Sequence, residues 1–253
     1  HPKIQAIGFT GSGAVGKLLL ELASKREVPI PVYAEMGSIN PIFITEAALN
    51  SRSEELAKGS VDSALLGSGQ FCTKPGLFLL SKNGAEEFIS NVEKYLATMS
   101  VGPLLNKSIA ERYSVAISEL SKNGSLKVLN GLSGSTGLSV TPTFFVADWA
   151  VVSAHRELLE EHFGPTTVIA VAEEADFISI AKSLEGQLTA TIQCGEDEPV
   201  RPLMSALSTI AGRVIRNAFP TGVSVTAAMQ HGGPWPSAST HSTSVGTDAI
   251  FRF

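Results

Sequence analysis

A single cysteine lies in the glycine-rich segment GSGQFCTKPG at residues 67–76. A helical pattern precedes this segment, and a short apolar run at residues 77–80 follows it. The glycines leave room around the sulfur and leave backbone N–H groups free to face an oxyanion. Because the thiolate is the reactive form of cysteine, Cys72 is a candidate nucleophile. The alternative is a small residue that only fills space, since free cysteine is among the most buried residue types.

A second chemical signal is the glycine pattern GSGAVG at residues 11–16, between a predicted strand and a predicted helix. It fits a dinucleotide-binding turn, with Glu35 near the end of the next strand as the ribose-binding acid. It also fits a phosphate-binding P-loop through Lys17, but Leu18 stands where a Mg²⁺-binding hydroxyl is needed. A tight turn without a ligand is an equal alternative. All three interpretations place unpaired backbone N–H groups at a helix N-terminus, where they can bind phosphate oxygens.

Other polar and aromatic residues give weaker signals. Zinc sites use closely paired Cys and His ligands, and the histidines show no such spacing, so we predict no metal site and ordinary surface or turn roles for them. Cys194 lies in an apolar run and is predicted to pack in the core. Asn217 is predicted to brace the loop of the active site, and Trp149 and Trp235 either line a substrate mouth or fill space. The histidines are His1, His155, His162, His231 and His241.

The elements that must position these residues alternate between apolar strand patterns and helical patterns. This alternation predicts an α/β fold, a mostly parallel twisted sheet with helices on both faces. Residues 130–139 form a Gly/Ser-rich loop, and the chain after residue 219 has no regular periodicity. The predicted strands are 4–9, 30–33, 42–45, 77–80, 143–146, 167–172, 188–193 and 213–217, and the predicted helices are 15–25, 49–66, 85–99, 109–120, 175–184 and 199–210, with a helical turn at 156–161.

Composition excludes several classes of protein. The 253 residues are 43% hydrophobic and 17% charged, which is typical of a globular protein with a sizeable core. The net charge is −5 without a dense Lys/Arg cluster, so we predict no nucleic-acid partner. No apolar run reaches the ~18 residues that span a membrane. Two cysteines form no disulfide framework, which favours the reducing cytoplasm. The missing initiator Met suggests a piece of a longer protein.

Taken together, several stretches resemble the aldehyde dehydrogenase superfamily in order and spacing, over essentially the whole chain. The full family enzyme is about twice as long, so the chain resembles its second, C-terminal half. Residues 1–34 are then the end of the dinucleotide-binding domain, and residues 35–253 are the catalytic domain with a C-terminal loop region. The stretches are FTGS at 9–12 with Gly16, AEMGSINP at 34–41, GQFC at 69–72, EHFGP at 161–165, NAFPTGV at 217–223 and QHGGPWPS at 230–237.

This resemblance implies a role for each matching residue. Cys72 is similar to the nucleophile that attacks the aldehyde carbon, and its backbone N–H is one oxyanion donor. Glu35 is similar to the general base that activates water, which replaces its interpretation as a ribose ligand. The positions matched to the cofactor are Gly11 and Ser12 at the pyrophosphate, Glu161 at the nicotinamide ribose and Phe163 beside the nicotinamide.

Departures from the commonest family pattern indicate a branch. Met36 stands in place of Leu, Ser38 in place of a second Gly, and the interval from Glu35 to Cys72 is slightly long. With the HGGP stretch at residues 231–234, these features resemble the α-ketoglutarate semialdehyde dehydrogenases and the NADP-linked fatty aldehyde dehydrogenases. The resemblance implies oxidation of an aldehyde, for example α-ketoglutarate semialdehyde, to the acid through a thiohemiacetal and a thioester. It also implies NADP or NAD as cofactor and a homo-oligomer, a dimer or tetramer, in the full-length protein.

Two other classes of function stay open. A cysteine-dependent acyltransferase or hydrolase needs a histidine to activate the thiol, and the sequence shows none near Cys72. A noncatalytic interaction or structural module could use the same scaffold, although retention of Cys72 and Glu35 weighs against it. We expect the 253-residue chain alone to fold in its catalytic part but to be inactive. The resemblance places the second oxyanion donor, an Asn side chain, and the strongly dinucleotide-selective contacts N-terminal to this chain.

Overall fold

The computed structural model describes residues 1–134, 137–221 and 226–252. Its first element pair is a small parallel sheet of β1 (Ile7–Thr10) and β2 (Val32–Glu35), connected by helix α1 (Gly13–Ser24). A small apolar cluster of α1 and β2 residues, with Met36 just beyond β2, covers this sheet. The sequence placed both strands two or three residues too early, so that Glu35 lies inside β2 rather than after it.

The main sheet has seven strands in the part of the chain that the structure describes, in the order β5-β6-β7-β4-β3-β8-β9. All neighbouring pairs are parallel except β5 and β6, which are antiparallel. The predicted mostly parallel α/β sheet is therefore confirmed. The strands are β3 (Ile42–Ile44), β4 (Leu77–Ser81), β5 (Lys127–Asn130), β6 (Thr143–Asp148), β7 (Thr166–Ala172), β8 (Gln187–Gln193) and β9 (Ala211–Arg216).

Helices cover both faces of this sheet. One large apolar core contains residues of α6 and α7 with inward residues of β4, β7 and β8, and a second contains residues of α2 and α3 with the alternate residues of β3, β4 and β6. Continuous burial along β4 and β8 is what a strand covered on both faces requires. The helices are α2 (Glu46–Leu65), α3 (Ala85–Leu96), α4 (Lys107–Leu120), α5 (Trp149–Ala154), α6 (Phe177–Ser183) and α7 (Arg201–Ile210).

Two elements and one turn differ from the sequence prediction. β5 and α5 were not predicted, and the helical turn at 156–161 is a 3₁₀ helix at Arg156–Leu159. The aperiodic region after residue 219 contains a further 3₁₀ helix, Thr247–Arg252. Residues 135–136 of the Gly/Ser-rich loop and residues 222–223 of the NAFPTGV stretch lie outside the described residues. In the described ranges, no helix is both long and apolar enough to cross a membrane.

Candidate active site

The loop that carries the cysteine connects α2 to β4 and lies at the amino ends of the parallel strands. Gly67 and Gly69 have φ of +59° and +68°, a left-handed backbone that glycine adopts at low cost. A Cβ on Gly69 would lie 2.1 Å from the carbonyl oxygen of Gly164. Only glycine therefore allows this loop, residues 67–76 and named here the nucleophile loop, to pack against the segment before β7.

The Cys72 sulfur is partly buried and lies 3.4 Å from Nε2 of His231. Burial raises the pKa of the Cys72 thiol above its usual value, and the charge of the nearby Glu35 carboxylate raises it further. The backbone N–H groups of Cys72 and Thr73 act in the opposite direction because they stabilise the thiolate. The resting side chain is a protonated thiol at neutral pH, and it needs a proton acceptor before it can attack.

Glu35 ends β2 and is 6% exposed. One carboxylate oxygen lies 3.3 Å from Nη2 of Arg252, and the other lies 3.6 Å from Nε2 of His231. The structure thus brings the Cys72 sulfur and the Glu35 carboxylate to the same imidazole nitrogen, Nε2 of His231. Among the described residues, Glu35 does not line the cavity at the N-terminus of α1, where a Rossmann ribose ligand would lie.

His231 is the residue that sequence reasoning missed. The predicted surface or turn role is wrong, as is the statement that no histidine lies near Cys72. The contact joins residues 159 positions apart, and it comes from an irregular segment fixed by a 2.9 Å hydrogen bond from the His231 N–H to Oγ1 of Thr243. Its place directly before two glycines in QHGGPWPS was the available signal.

The imidazole of His231 is neutral at neutral pH. Burial lowers its pKa most, and the positive charges of Arg213 and Arg252 lower it further, while Glu35 raises it. A neutral imidazole has one nitrogen that can accept a proton. In the tautomer that carries its proton on Nδ1, His231 can accept the proton of the Cys72 thiol at Nε2, beside the opposite charges of Glu35 and Arg252.

One buried amide holds the nucleophile loop in place. The Asn40 side chain donates from Nδ2 to the backbone oxygens of Cys72 and Lys74, both at 2.9 Å. Its Oδ1 accepts the N–H of Thr189 at 3.2 Å. Gln187 supports the same turn, because its Oε1 accepts the N–H groups of Ile39 and Asn40 at 2.8 and 3.2 Å. These bonds connect the amino ends of β3, β4 and β8.

A second cavity, of about 770 Å³, lies between the N-terminus of α1 and the amino edge of the main sheet. Two of the four residues matched to the cofactor, Ser12 and Glu161, line it among the described residues. Ser12 is the N-cap of α1 and makes no capping bond with its side chain. Gly11, beside it, donates its N–H to the Glu35 carbonyl at 3.1 Å. Phe163 is 37% exposed and is not part of this lining.

The Glu161 carboxylate packs against bare backbone. A Cβ on Gly37 would lie 2.8 Å from Oε2 of Glu161, so only glycine leaves room for it. Burial raises the pKa of Glu161 to about 7, while the charge of Lys74 and the N–H of Ser38 act in the opposite direction. A half-buried carboxylate at a cavity wall is well suited to accept hydrogen bonds from sugar hydroxyls.

Lys74 is a second residue for which the sequence predicted no role. It is 2% exposed, and its Nζ donates to the carbonyl oxygens of His162 at 3.1 Å and Thr166 at 2.7 Å. Burial lowers the pKa of Lys74 to about 8, and Glu161 acts in the opposite direction. Lysine is almost never fully buried unless it is paired, so this placement is unusual.

The remaining candidates lie elsewhere. Cys194 is 1% exposed in the main core, which confirms its predicted packing role. Asn217 does not brace the nucleophile loop as predicted, because its Oδ1 accepts the N–H of Cys194 at 2.8 Å at the opposite edge of the sheet. Trp235 is exposed with Nζ of Lys17 5.6 Å from its ring centre, and Trp149 packs against the main core. Within the described ranges, no group of three or more His, Cys, Asp and Glu side chains is arranged to hold a metal ion.

Comparison with known proteins identifies the family of the chain. The profile of the aldehyde dehydrogenase family matches residues 1–250. The chain is 42% identical over 260 residues to an α-ketoglutaric semialdehyde dehydrogenase of Acinetobacter baylyi and 39% identical over 259 residues to one of Azospirillum brasilense. Both matches cover 100% of this chain and 49% of the relative.

A solved structure shows the same fold. The 1-pyrroline-5-carboxylate dehydrogenase from Thermus, determined with bound NAD, superposes with a TM-score of 0.79 at 24% identity, over 94% of this chain and 47% of that one. The chain spans about half the length of the curated relatives that it matches. The predicted superfamily, and the resemblance to the α-ketoglutarate semialdehyde dehydrogenases, are confirmed. The chain belongs to the aldehyde dehydrogenase family.

Proposed function

We propose that the protein containing this chain oxidises an aldehyde to the carboxylic acid with NADP or NAD, using Cys72 as nucleophile and Glu35 as general base. The observation that carries this proposal is the position of the Cys72 sulfur and the Glu35 carboxylate on either side of one nitrogen, Nε2 of His231. A soft nucleophile and a carboxylate base beside the same imidazole match the two stages of the reaction.

Acylation begins with loss of the thiol proton. Since burial and Glu35 hold the pKa of Cys72 high, the sulfur needs an acceptor within hydrogen-bond reach. His231 is neutral and lies at 3.4 Å, so it takes the proton as the sulfur attacks the aldehyde carbon. The backbone N–H groups of Cys72 and Thr73, which stabilise the thiolate, are placed to stabilise the alkoxide of the thiohemiacetal as well.

The second cavity fits a dinucleotide. The N-terminus of α1 offers N–H groups for phosphate oxygens, with Gly11 and Ser12 at the turn. Glu161 lines the same cavity and offers a carboxylate to ribose hydroxyls. Phe163 follows two residues later in the chain. The cofactor supplies the acceptor for the hydride that leaves the thiohemiacetal.

Deacylation releases the acid. Glu35 takes a proton from water, the hydroxide attacks the thioester carbon, and the Cys72 sulfur leaves and recovers its proton. The net change consumes one aldehyde, one water and one oxidised cofactor, and it yields the carboxylate, the reduced cofactor and two protons. Because Arg252 lies 3.3 Å from Glu35, it holds this carboxylate near the Cys72 sulfur.

The substrate that we propose is an aldehyde with a carboxylate at its far end. Both relatives at about 40% identity bear the name α-ketoglutaric semialdehyde dehydrogenase. We further propose that residues 1–34 belong to a cofactor-binding domain and that residues from 35 onward form the catalytic domain, since the separate two-stranded sheet ends at Glu35, next to this boundary. The proposed full-length enzyme is a homo-oligomer of the cytoplasm.

The test is cofactor reduction by the full-length protein, followed at 340 nm with α-ketoglutaric semialdehyde and with a simple alkanal. We expect turnover with the semialdehyde, a lower kcat/KM with the alkanal, and no turnover by Cys72→Ala. The 253-residue chain alone is expected to be inactive even when its circular dichroism spectrum shows that it is folded. Turnover retained by Cys72→Ala contradicts the assignment of the nucleophile.

A second candidate is favoured by one observation, the His231 nitrogen beside the Cys72 sulfur. That pair also suits a cysteine hydrolase or acyltransferase that uses no nicotinamide. Hydrolysis of an acyl thioester without cofactor, in a protein that never reduces NADP or NAD with any aldehyde, would favour this candidate instead.

A further inference from the structure

We infer that Lys74 is a positioning residue: its buried ammonium fastens the loop of residues 161–166 to the nucleophile loop and so fixes the Glu161 carboxylate where it meets the cofactor. The inference rests on the proposed function, and it concerns a residue two positions after the proposed nucleophile. It assigns to this lysine the connection between the part of the site around Cys72 and the part around Glu161.

The main chain of Lys74 belongs to the nucleophile loop. Its N–H donates to the Phe71 carbonyl at 3.0 Å, and its own carbonyl accepts from Nδ2 of Asn40 at 2.9 Å. The same Asn40 nitrogen donates to the carbonyl of Cys72. The backbone positions of Cys72 and Lys74 are therefore fixed together by one amide.

The side chain of Lys74 contacts the loop of residues 161–166. Nζ donates to the carbonyl oxygens of His162 and Thr166, which bracket the residues after Glu161. The loop also touches the nucleophile loop directly, where Gly69 meets the carbonyl of Gly164. A movement of either loop thus breaks at least one bond to a buried ammonium, which is costly to leave unsatisfied.

Burial makes the charge of Lys74 effective. With 2% exposure, its ammonium is out of contact with bulk water, and its two hydrogen-bond partners are neutral carbonyls. Glu161 is the carboxylate whose charge acts on it, and in turn the lysine charge lowers the pKa of Glu161 against the effect of burial. A buried charge without solvent acts more strongly on its neighbour than a surface charge does.

Other polar and charged groups also lie around Glu161. Cys72 interacts with it electrostatically, and the Ser38 N–H stabilises its anion. The neighbouring His162 has a pKa lowered by burial and is neutral. The further charged residues that line the same cavity are Lys17, Arg156, Glu160 and Glu185.

This arrangement predicts a pH dependence of cofactor binding. Glu161 binds ribose hydroxyls best as an anion, and its pKa is raised to about 7. Cofactor affinity therefore falls as pH decreases through about 7, and it is highest between about 7 and 8, where Glu161 is ionised and Lys74 still carries its charge. Removing the Lys74 charge raises the pKa of Glu161 further, so the loss of affinity begins at a higher pH.

The experiment titrates NADPH and NADH fluorescence against the full-length protein from pH 6 to 9. Wild type is compared with Lys74→Met, Lys74→Arg and Glu161→Gln, and with Lys82→Met as an exposed-lysine control far from both cavities. We expect Lys74→Met to weaken binding at pH 7.5 by about tenfold, as loss of one charge-assisted interaction does, and to move the midpoint to higher pH.

Lys74→Arg is expected to keep the wild-type midpoint, and Glu161→Gln to remove the pH dependence, with Lys74→Met adding little in the double variant. A wild-type affinity that does not change between pH 6 and 9 overturns the inference without any variant. A folded Lys74→Met variant with the wild-type midpoint also overturns it. Wild type that neither binds a dinucleotide nor oxidises aldehydes overturns the proposed function itself.

Discussion

One cysteine lies at each end of the strands of the main sheet. These two ends are called here the amino edge and the carboxyl edge. Cys72 lies at the amino ends of β3, β4 and β8, and Cys194 follows the carboxyl end of β8. Each edge has a cavity of similar size, about 770 Å³ near Glu161 and about 690 Å³ beside Cys194. Ligands of open α/β sheets usually bind at the carboxyl edge. Here Cys72, Glu35 and His231 gather beside the amino edge, so the proposed site lies opposite to the edge that the general rule favours.

The difference lies in the neighbours of the sulfurs. Both have a side-chain nitrogen close by, His231 at 3.4 Å from Cys72 and Arg216 at 3.2 Å from Cys194. An imidazole exchanges protons near neutral pH, whereas a guanidinium stays protonated and accepts none. Cys72 also faces a carboxylate and is partly accessible, and Cys194 is 1% exposed. A nitrogen beside the sulfur therefore does not activate a cysteine unless that nitrogen can accept the thiol proton.

The largest effect is expected from Cys72→Ala. It should lower kcat by about 10⁴-fold or more, because nothing else in the cavity can form the thioester. Steady-state reduction of the cofactor by the full-length protein measures this. Mass spectrometry after incubation with aldehyde and cofactor should find an acyl adduct on wild type only, and an adduct on Cys194 would reverse the comparison between the edges.

Glu35→Gln is expected to lower turnover while it increases the reactivity of the Cys72 thiol. Turnover should fall by about 10²- to 10⁴-fold because the hydrolytic water loses its base. Alkylation of Cys72 by iodoacetamide at pH 8 should become faster, since Glu35 raises the pKa of this thiol and its removal increases the thiolate fraction. Slower alkylation in a folded variant would mean that Glu35, rather than His231, takes the thiol proton.

His231→Gln should lower kcat by about 10²-fold, the lower range for loss of a proton acceptor. The pH profile of acylation, read from the burst of reduced cofactor, should move to higher pH because the thiol must then ionise without help. The matched change at the other edge, Arg216→Gln, should leave the burst unchanged. An unaltered burst profile in His231→Gln would assign the imidazole a packing role only.

Gly37→Ala tests the cofactor side alone. The new Cβ would lie 2.8 Å from Oε2 of Glu161, so the carboxylate must move. The KM for the dinucleotide should rise by about tenfold, equivalent to loss of one good hydrogen bond to a charged group, while Cys72 alkylation stays at the wild-type rate. Gly124→Ala is the control, because nothing lies within 4 Å of its Cβ position.

The smallest effect is expected from Cys194→Ala. Its kcat should match wild type, while the melting temperature falls slightly because a buried sulfur leaves a small void, costing about 1 kcal/mol. Differential scanning calorimetry together with the turnover assay measures both. A loss of turnover without a loss of stability would show that the carboxyl edge takes part in the reaction.

Most of the fold was predictable because its central strands are continuous apolar runs. β4 is buried at all five positions and β8 at all seven, a signal that needs no tertiary information. β5 was missed because it is an antiparallel edge strand with only Leu129 fully buried among its four residues. Its pairing with β6, rather than its composition, makes it a strand.

The site was predictable only in part. Glycines around Cys72 gave a local signal, and the family resemblance supplied Glu35 and Glu161. His231 reaches Cys72 through a contact between residues 159 positions apart, which no local pattern encodes. Lys74 was overlooked because lysine is ordinarily a surface residue, and only the folded loops at His162 and Thr166 provide acceptors for a buried ammonium.

The Asn40 amide, fully buried, has a consequence for how the protein ages. Conversion of this side chain to a carboxylate would turn the donor to Cys72 and Lys74 into a negative group facing two carbonyl oxygens. Spontaneous deamidation of asparagine proceeds mainly through attack by the backbone nitrogen of the next residue on the side-chain carbonyl carbon. That residue is Pro41, whose nitrogen bears no hydrogen. The amide on which the nucleophile loop depends is thereby protected from the commonest route of its own decay.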